Sequence, residues 1–368
     1  MSKMSVNVSY KKQFSFGFLY ILIILVIVEG IVQVIEINAN ENCLFIQSDV
    51  YDNLDKNQLN EMCKHYREVK GEYNEYLQLV PNQSSNTVNI NNFGFRGSDF
   101  DLQKQENTVR IFMVGGSTTF GSGSTSDNTS IPGFLQEKFE RVGSDFHIEI
   151  INAGSPGAYS KTETLFVQDI ILQFDPDMIL IYDGWNDAHI SYKSHLDERG
   201  TEGFLYDSAN EIKKILPFYK TPTFIRGQVM NFVQSDSSIS LTSDEMEKKI
   251  ELWTQRWDTF CKSNLEKDFE IFIFVQPLLG SGEKPLSDYE KRIFNSTEYP
   301  IIEATSMKSF VNNFSEFQYC TNFADLTNSF DDYSETIFFD RGHMGDKGNF
   351  IISEKIYEIV SPHITKYK

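Results

Sequence analysis

The sequence predicts a three-layer α/β/α sandwich around a central parallel sheet, flavodoxin-like in its layering and preceded by one N-terminal transmembrane helix. Two patterns carry this expectation. From Val109 onward, short apolar runs alternate with segments of helical spacing, and strands separated by helices pair in parallel through right-handed crossovers. Ahead of them, residues 14–35 form an apolar run broken only by a few residues such as Ser15, Glu29 and Gln33. As a helix it spans roughly 33 Å, enough to cross a bilayer. The chain has 368 residues and is 40% hydrophobic, enough to bury a full core. Its formal net charge of -19 leaves no basic stripe for phosphates, so nucleic acid is not an expected partner.

Taken in order, residues 1–13 carry Lys3, Lys11 and Lys12 and read as a cytoplasmic tail, which places everything after the 14–35 anchor outside. A cleaved signal peptide is the competing reading, with Ile37 and Ala39 as a weak cleavage site. The run is longer than the usual h-region, which favours an uncleaved anchor. No lipobox precedes Cys43. Glu29 is an unusual residue in a span and marks a possible membrane partner, although its place toward the outer end lets it reach the interface. Residues 36–100 form a polar, Asn-rich extracytoplasmic connector with helical character over 57–70. Cys43 and Cys63 lie in it, on the side where disulfides persist, and a bond between them is plausible; Cys261 and Cys320 can pair further on, but four cysteines allow three connectivities. Asn82, Asn128, Asn295 and Asn313 begin Asn-x-Ser/Thr sequons, a pattern that also arises by chance.

Residues 101–368 form the main domain. Val109 to Val114 is apolar at five of its first six positions and reads as a strand buried on both faces, running into Gly115, Gly116 and Ser117. A helix follows over 130–142, with Pro132 in its first turn. A second strand is expected over 146–151, a helix over 161–174, a third strand over 178–182, a fourth over 269–275, and a closing helix over 348–360. The stretch from about 189 to 242 breaks this rhythm and reads as an insertion, a common way to shape a pocket. Its aromatic residues, including Phe204, Tyr206, Phe218, Tyr219 and Phe224, suit packing more than sugar stacking.

Each strand ends in unusual residues. The first gives Gly115-Gly116-Ser117-Thr118-Thr119-Phe120-Gly121, and the second gives Asn152-Ala-Gly-Ser-Pro-Gly157, whose glycines free the backbone to present N–H groups. The third gives Gly184-Trp-Asn186-Asp187, and Asp340-Arg-Gly-His343 precedes the closing helix. In this order the four stretches, covering about 109–360, resemble the four sequence blocks of the SGNH (GDSL-like) hydrolase superfamily. The resemblance implies Ser117 as nucleophile, Asp340 and His343 as its partners, and an oxyanion hole of the Ser117 N–H, the Gly157 N–H and the Asn186 amide. A serine hydroxyl needs an adjacent base, an imidazolium needs a carboxylate, and a tetrahedral oxyanion needs preorganised donors. The family's usual Gly-Asp-Ser is replaced, since Gly116 stands directly before Ser117. Asn91 to Gly97 also resembles a segment of membrane-anchored members, many tied to cell-surface polysaccharide, and Arg96 in it reads as a clamp between connector and main domain.

No cofactor and no metal are implied. No Cys/His spacing suggests zinc, and Asp183, Asp187 and His189 match no strong ligand pattern. Gly116 to Gly121 lacks a P-loop lysine, and Thr119 removes a Gly-x-Ser-x-Gly elbow. His65, His147, His195 and His363 belong to no motif. The resulting expectation is a membrane-anchored, outward-facing serine esterase that removes O-acyl groups, O-acetyl foremost, from a carbohydrate or other surface molecule or small ester. The alternatives are an O-acyltransferase on cell-surface polysaccharide using the same acyl-enzyme, and a catalytically silent glycan-binding scaffold.

Overall fold

A computed structural model describes residues 9–39, 44–71, 76–143, 146–196, 243–296 and 299–367. Five parallel strands form the central sheet: β1 (Thr108–Gly115), β2 (His147–Gly154), β3 (Met178–Asp183), β4 (Glu270–Val275) and β5 (Asn322–Asp325). Their spatial order is β2-β1-β3-β4-β5, with Ile111 registered against Ile150 on one side and Met178 on the other. The order reverses between β1 and β3. In open sheets of this kind, the crevice beyond the carboxyl ends of those two strands is where ligands bind.

The described helices are α1 (Tyr10–Ala39), α2 (Lys56–Glu68), α3 (Ser117–Phe120), α4 (Ile131–Val142), α5 (Ser160–Asp169), α6 (Trp185–His189), α7 (Tyr192–His195), α8 (Ser243–Ser263), α9 (Asp288–Phe294), α10 (Tyr299–Asn312) and α11 (Asp346–Ile364). Alternation along the strands sorts the core into two layers. Phe112, Val114, Ile179, Ile181 and Val275 pack with Phe166 of α5, Trp253 and Trp257 of α8, and Met307 and Phe310 of α10. Ile111, Met113, Leu180, Phe272 and Phe274 pack with Leu135 and Phe139 of α4 and Ile352 and Ile356 of α11. The three-layer expectation holds.

Several boundaries differ from those expected. The helix over 161–174 is divided: α5 stops at Asp169, and Ile171–Phe174 is a 3-10 turn. Pro176 bars helical backbone at Asp175, which takes a left-handed φ of 52°. The second strand continues past Ile151 to Gly154, and the closing helix starts at Asp346 and runs to Ile364. β5 went unpredicted because Asn-Phe-Ala-Asp carries no apolar run; it pairs only with β4. At the opposite edge, the Gln136 amide stands in for a neighbouring strand, donating to the Ile148 carbonyl at 2.9 Å and accepting from Ile150 N–H at 2.7 Å.

Residues 44–71 and 76–100, expected as a connector, belong to the same compact unit as the sheet. Phe95 enters the core, its ring 5.5 Å from both Phe112 and Phe174. Cys261 and Cys320 are disulfide-bonded. Cys63 is also oxidised, while the Cys43 half of the expected pair lies outside the described residues. The insertion is described only as far as Leu196, so its aromatic residues lie outside the described residues as well. In α1, the stretch Tyr10–Ile35 is 26 residues long and apolar enough to cross a membrane. Within it, the Gln33 amide donates to the Glu29 carboxylate at 3.0 Å.

Candidate active site

Ser117 opens α3 at the exit of β1, where the first N–H groups of a helix have no intrahelical acceptor. Its hydroxyl donates to His343 Nε2 at 2.6 Å, and His343 Nδ1–H donates to Asp340 Oδ2 at 2.7 Å. This pairing assigns the imidazole tautomer, with the Nε2 lone pair facing the serine. Asp340 does two jobs. Its Oδ1 accepts from the N–H groups of Gly342 at 2.9 Å and His343 at 2.7 Å, folding the Asp-x-x-His turn, while Oδ2 orients the ring. Burial alone would push the Asp340 carboxyl up, but the neighbouring His343 and these two N–H donors together hold it below its ordinary value.

The turn is braced from α9. Glu290 Oε1 accepts from the N–H groups of Ile337 at 2.9 Å and Phe338 at 3.1 Å, and its Oε2 takes the buried Lys284 ammonium at 2.6 Å. Tyr289 donates its hydroxyl to the Phe339 carbonyl at 2.8 Å. Sequence reading missed this brace, although Ser287 and Glu290 have the Ser-x-x-Glu spacing of a capping box and form one. The imidazole lies between Trp185, edge-on at 5.0 Å, and Phe339, stacked at 5.7 Å.

Asn186 and Gly157 come from the two flanking turns. The Asn186 amide donates one N–H to the Ala158 carbonyl at 2.6 Å, which leaves its second N–H for another acceptor. A Cβ on Gly116 would lie 2.4 Å from Asn186 Nδ2, so the missing side chain before Ser117 is what admits Asn186 there. Gly157 sits beside Ala158 on the exposed crest of the β2–α5 turn, with φ of 85°. Ser117, His343 and Asp340 are thus joined in one hydrogen-bonded row. Asn186 adjoins it at Gly116, and Gly157 is placed one residue from Asn186's acceptor. His189 turns elsewhere, pairing with Glu303 at 3.0 Å, and does not meet Asp183 or Asp187.

Arg96 clamps the segment after Ser117. Its Nε meets Asp127 at 2.7 Å, and its Nη1 donates to the carbonyls of Phe120 at 2.8 Å and Gly121 at 2.9 Å. Nη2 returns to the Thr87 carbonyl at 3.0 Å. The guanidinium thereby satisfies carbonyls at the C-terminal end of the one-turn helix that carries Ser117. Tyr66 and Tyr51 donate hydroxyls to the carbonyls of Gly121 and Gly123 at 2.7 and 2.6 Å.

No protein-family model and no curated protein matches the chain. Among solved structures it is similar to an acetyl xylan esterase at 14% identity and TM-score 0.38, covering 68% of this chain and 100% of that one. A second acetylxylan esterase, from Geobacillus stearothermophilus, aligns at 13% identity and TM-score 0.38 over 68% of this chain and 94% of its own. A lipase/acylhydrolase from Enterococcus faecalis aligns at 14% identity and TM-score 0.42, over 69% and 96%. At these values the likeness carries no argument about activity, which rests on the site's own geometry.

Proposed function

We propose that this chain is an SGNH-type serine esterase, held at a membrane by α1 with its sheet unit on the extracytoplasmic side, that removes O-acyl groups from a carbohydrate or other surface molecule. The observation that carries the reading is the continuous row Ser117 Oγ, His343 Nε2, His343 Nδ1 and Asp340 Oδ2, with contacts of 2.6 and 2.7 Å. In this reading Ser117 Oγ attacks the ester carbonyl carbon while His343 takes its proton, and Asp340 stabilises the imidazolium. The oxyanion is met by the Ser117 and Gly157 N–H groups and the free Asn186 N–H. Collapse expels the alcohol, which leaves with the proton from His343. Water, deprotonated by His343, then cleaves the acyl-serine to release the acid and restore the hydroxyl.

The test uses the full chain in detergent with 4-nitrophenyl acetate and with an acetylated oligosaccharide, alongside a fluorophosphonate label. Hydrolysis, release of acetate and labelling that vanishes in Ser117→Ala are expected. Labelling that persists in that variant moves the nucleophile elsewhere. Acetyl groups passing to an unacetylated oligosaccharide in place of acetate release make the protein a transferase.

A further inference from the structure

Behind Asn186 the sheet unit buries three carboxyl groups that the proposed chemistry does not use: Glu163 on α5, Asp183 at the end of β3 and Asp187 on α6. Two of them are supplied with donors. Asp183 Oδ1 accepts from Gly184 N–H at 2.7 Å, and its Oδ2 accepts from the indoles of Trp253 at 2.8 Å and Trp257 at 3.3 Å. Asp187 accepts from both the N–H and the hydroxyl of Ser160, with Arg256 Nη1 3.8 Å from its Oδ1. Glu163 is different. Both of its oxygens are buried, and no N–H or hydroxyl group reaches either.

The charged and titratable groups nearest on α7 and α8 are already committed. From α7, His195 donates Nε2–H to the Asp187 carbonyl at 3.0 Å and accepts at Nδ1 from Arg256 Nη1 at 2.9 Å, so it is neutral and has no proton to offer. From α8, Lys249 donates to the Ala188 carbonyl at 2.9 Å. An ionised carboxylate without a donor in this dry setting is strongly disfavoured, whereas an un-ionised one becomes a donor and finds Asp183 as its acceptor. Burial first, and then the like charges of Asp183 and Asp187, push Glu163 in that same direction.

We propose that Glu163 is an un-ionised acid that donates its proton to the Asp183 carboxylate, and that this hydrogen bond is a positioning element for α6 and hence for the Asn186 amide beside Ser117. The link is short. Asp183 holds the N–H of Gly184, whose φ of 119° turns β3 into α6, and Asn186 follows two residues later. No proton leaves the pair; it stays on Glu163 and is shared with Asp183. The functional half of this inference rests on Asn186 serving as an oxyanion donor; the protonation half does not.

The experiment compares the full chain with Glu163→Gln, which keeps the volume and an N–H donor, and with Glu163→Ala, which keeps neither. Infrared spectra at neutral pH in D2O should show un-ionised carboxylic acid absorption, and the difference between parent and Glu163→Gln should show the loss of one such acid. With 4-nitrophenyl acetate, Glu163→Gln should stay within about threefold of the parent, while Glu163→Ala loses about 100-fold in kcat with KM little changed, the cost of a displaced catalytic group. A difference spectrum that shows the loss of a carboxylate instead, or a folded Glu163→Ala with the parent kcat, overturns the proposal. If the parent shows no turnover at all, the esterase reading fails, and the infrared arm alone decides whether Glu163 carries the proton.

Discussion

Asp340 with His343 and Asp187 with His195 are the same two residue types in two neighbouring settings. In the first pair the imidazole donates to the carboxylate at 2.7 Å; in the second the nearest approach of the side chains is 4.0 Å. The first pair keeps 17% and 25% of its side-chain surface, and the second keeps none. Contact with His343 and two backbone N–H groups outweighs burial at Asp340 and holds it low. At Asp187, burial and the nearby Asp183 push the carboxyl well up, while burial lowers His195 to about 4. One pair is joined by a hydrogen bond to the Ser117 hydroxyl, the arrangement that the proposed proton transfer needs. The other is shut away from water, with both nitrogens of its imidazole occupied. The difference lies in burial and in the group beside each carboxylate, an imidazole in contact for Asp340 and a second carboxylate for Asp187, not in the residue types.

The largest effects should come from breaking the first pair. Ser117→Ala and His343→Ala are each expected to lower kcat by about 10⁶-fold, since such residues act as a unit. Asp340→Asn is expected to cost about 10⁴-fold by favouring the wrong imidazole tautomer. Asp187→Asn sharpens the comparison, because it alters an acid that touches no reacting atom. Its loss in kcat/KM should be at least roughly tenfold smaller than that of Asp340→Asn. Steady-state kinetics on 4-nitrophenyl acetate, with a thermal melt to show each variant folded, checks all four. Equal losses for the two asparagine variants would erase the distinction between the pairs.

A second expected effect concerns the clamp on the turn that carries Ser117. Arg96→Ala would leave Asp127 partly buried without its cation and the Thr87 carbonyl without its guanidinium donor, and would take one donor each from the carbonyls of Phe120 and Gly121. Removing one partner of such a buried pair costs about 3–5 kcal/mol. Arg96→Lys should recover only part of this, because one ammonium cannot reproduce the guanidinium fork. Urea unfolding of the two variants reads the difference. A loss below about 1 kcal/mol in Arg96→Ala would mean that residues 44–100 only decorate the sheet unit.

Legibility in the sequence followed how local the determining contacts are. The buried strands β1, β3 and β4 were readable because they are covered on both faces and need continuous apolar runs. The Asp340–His343 pair was readable only through the resemblance of its Asp-x-x-His block to a known family, and the block is compact because Asp340 itself closes its turn within three residues. Ser117 and Arg96 stood out through the glycine-rich segments around them. β5 was not readable, since four residues with Asn and Asp at the ends become a strand only by pairing with β4. Glu163 was not readable either. Nothing local distinguishes it from a solvent-facing glutamate on an amphipathic helix; its condition is set by Asp183 and Asp187, some 20 residues on. The brace from Lys284 and Glu290 to Ile337 is equally non-local.

The smallest and most discriminating effect is the pH dependence of stability. Between the ordinary glutamate range near 4.3 and its raised value in the fold, Glu163 keeps a proton that the unfolded chain has released. The folded state then binds more protons, so stability falls as pH rises, by about 1.4 kcal/mol per pH unit for one such group. His195 acts in the opposite direction. From its ordinary value near 6.5 down to about 4 the unfolded chain takes a proton that the fold refuses, so stability falls as pH falls. Glu163→Gln removes the first slope and keeps the second, while Asp183 and Asp187 are present in both proteins. The urea midpoint, followed through the buried Trp253 and Trp257, should therefore shift in favour of Glu163→Gln progressively as pH rises through the window between the ordinary glutamate range and that raised value. A difference that stays flat over that window would mean that Glu163 ionises in the fold as it does in the unfolded chain. The contrast between the buried acids and Asp340 would then lose its strongest member.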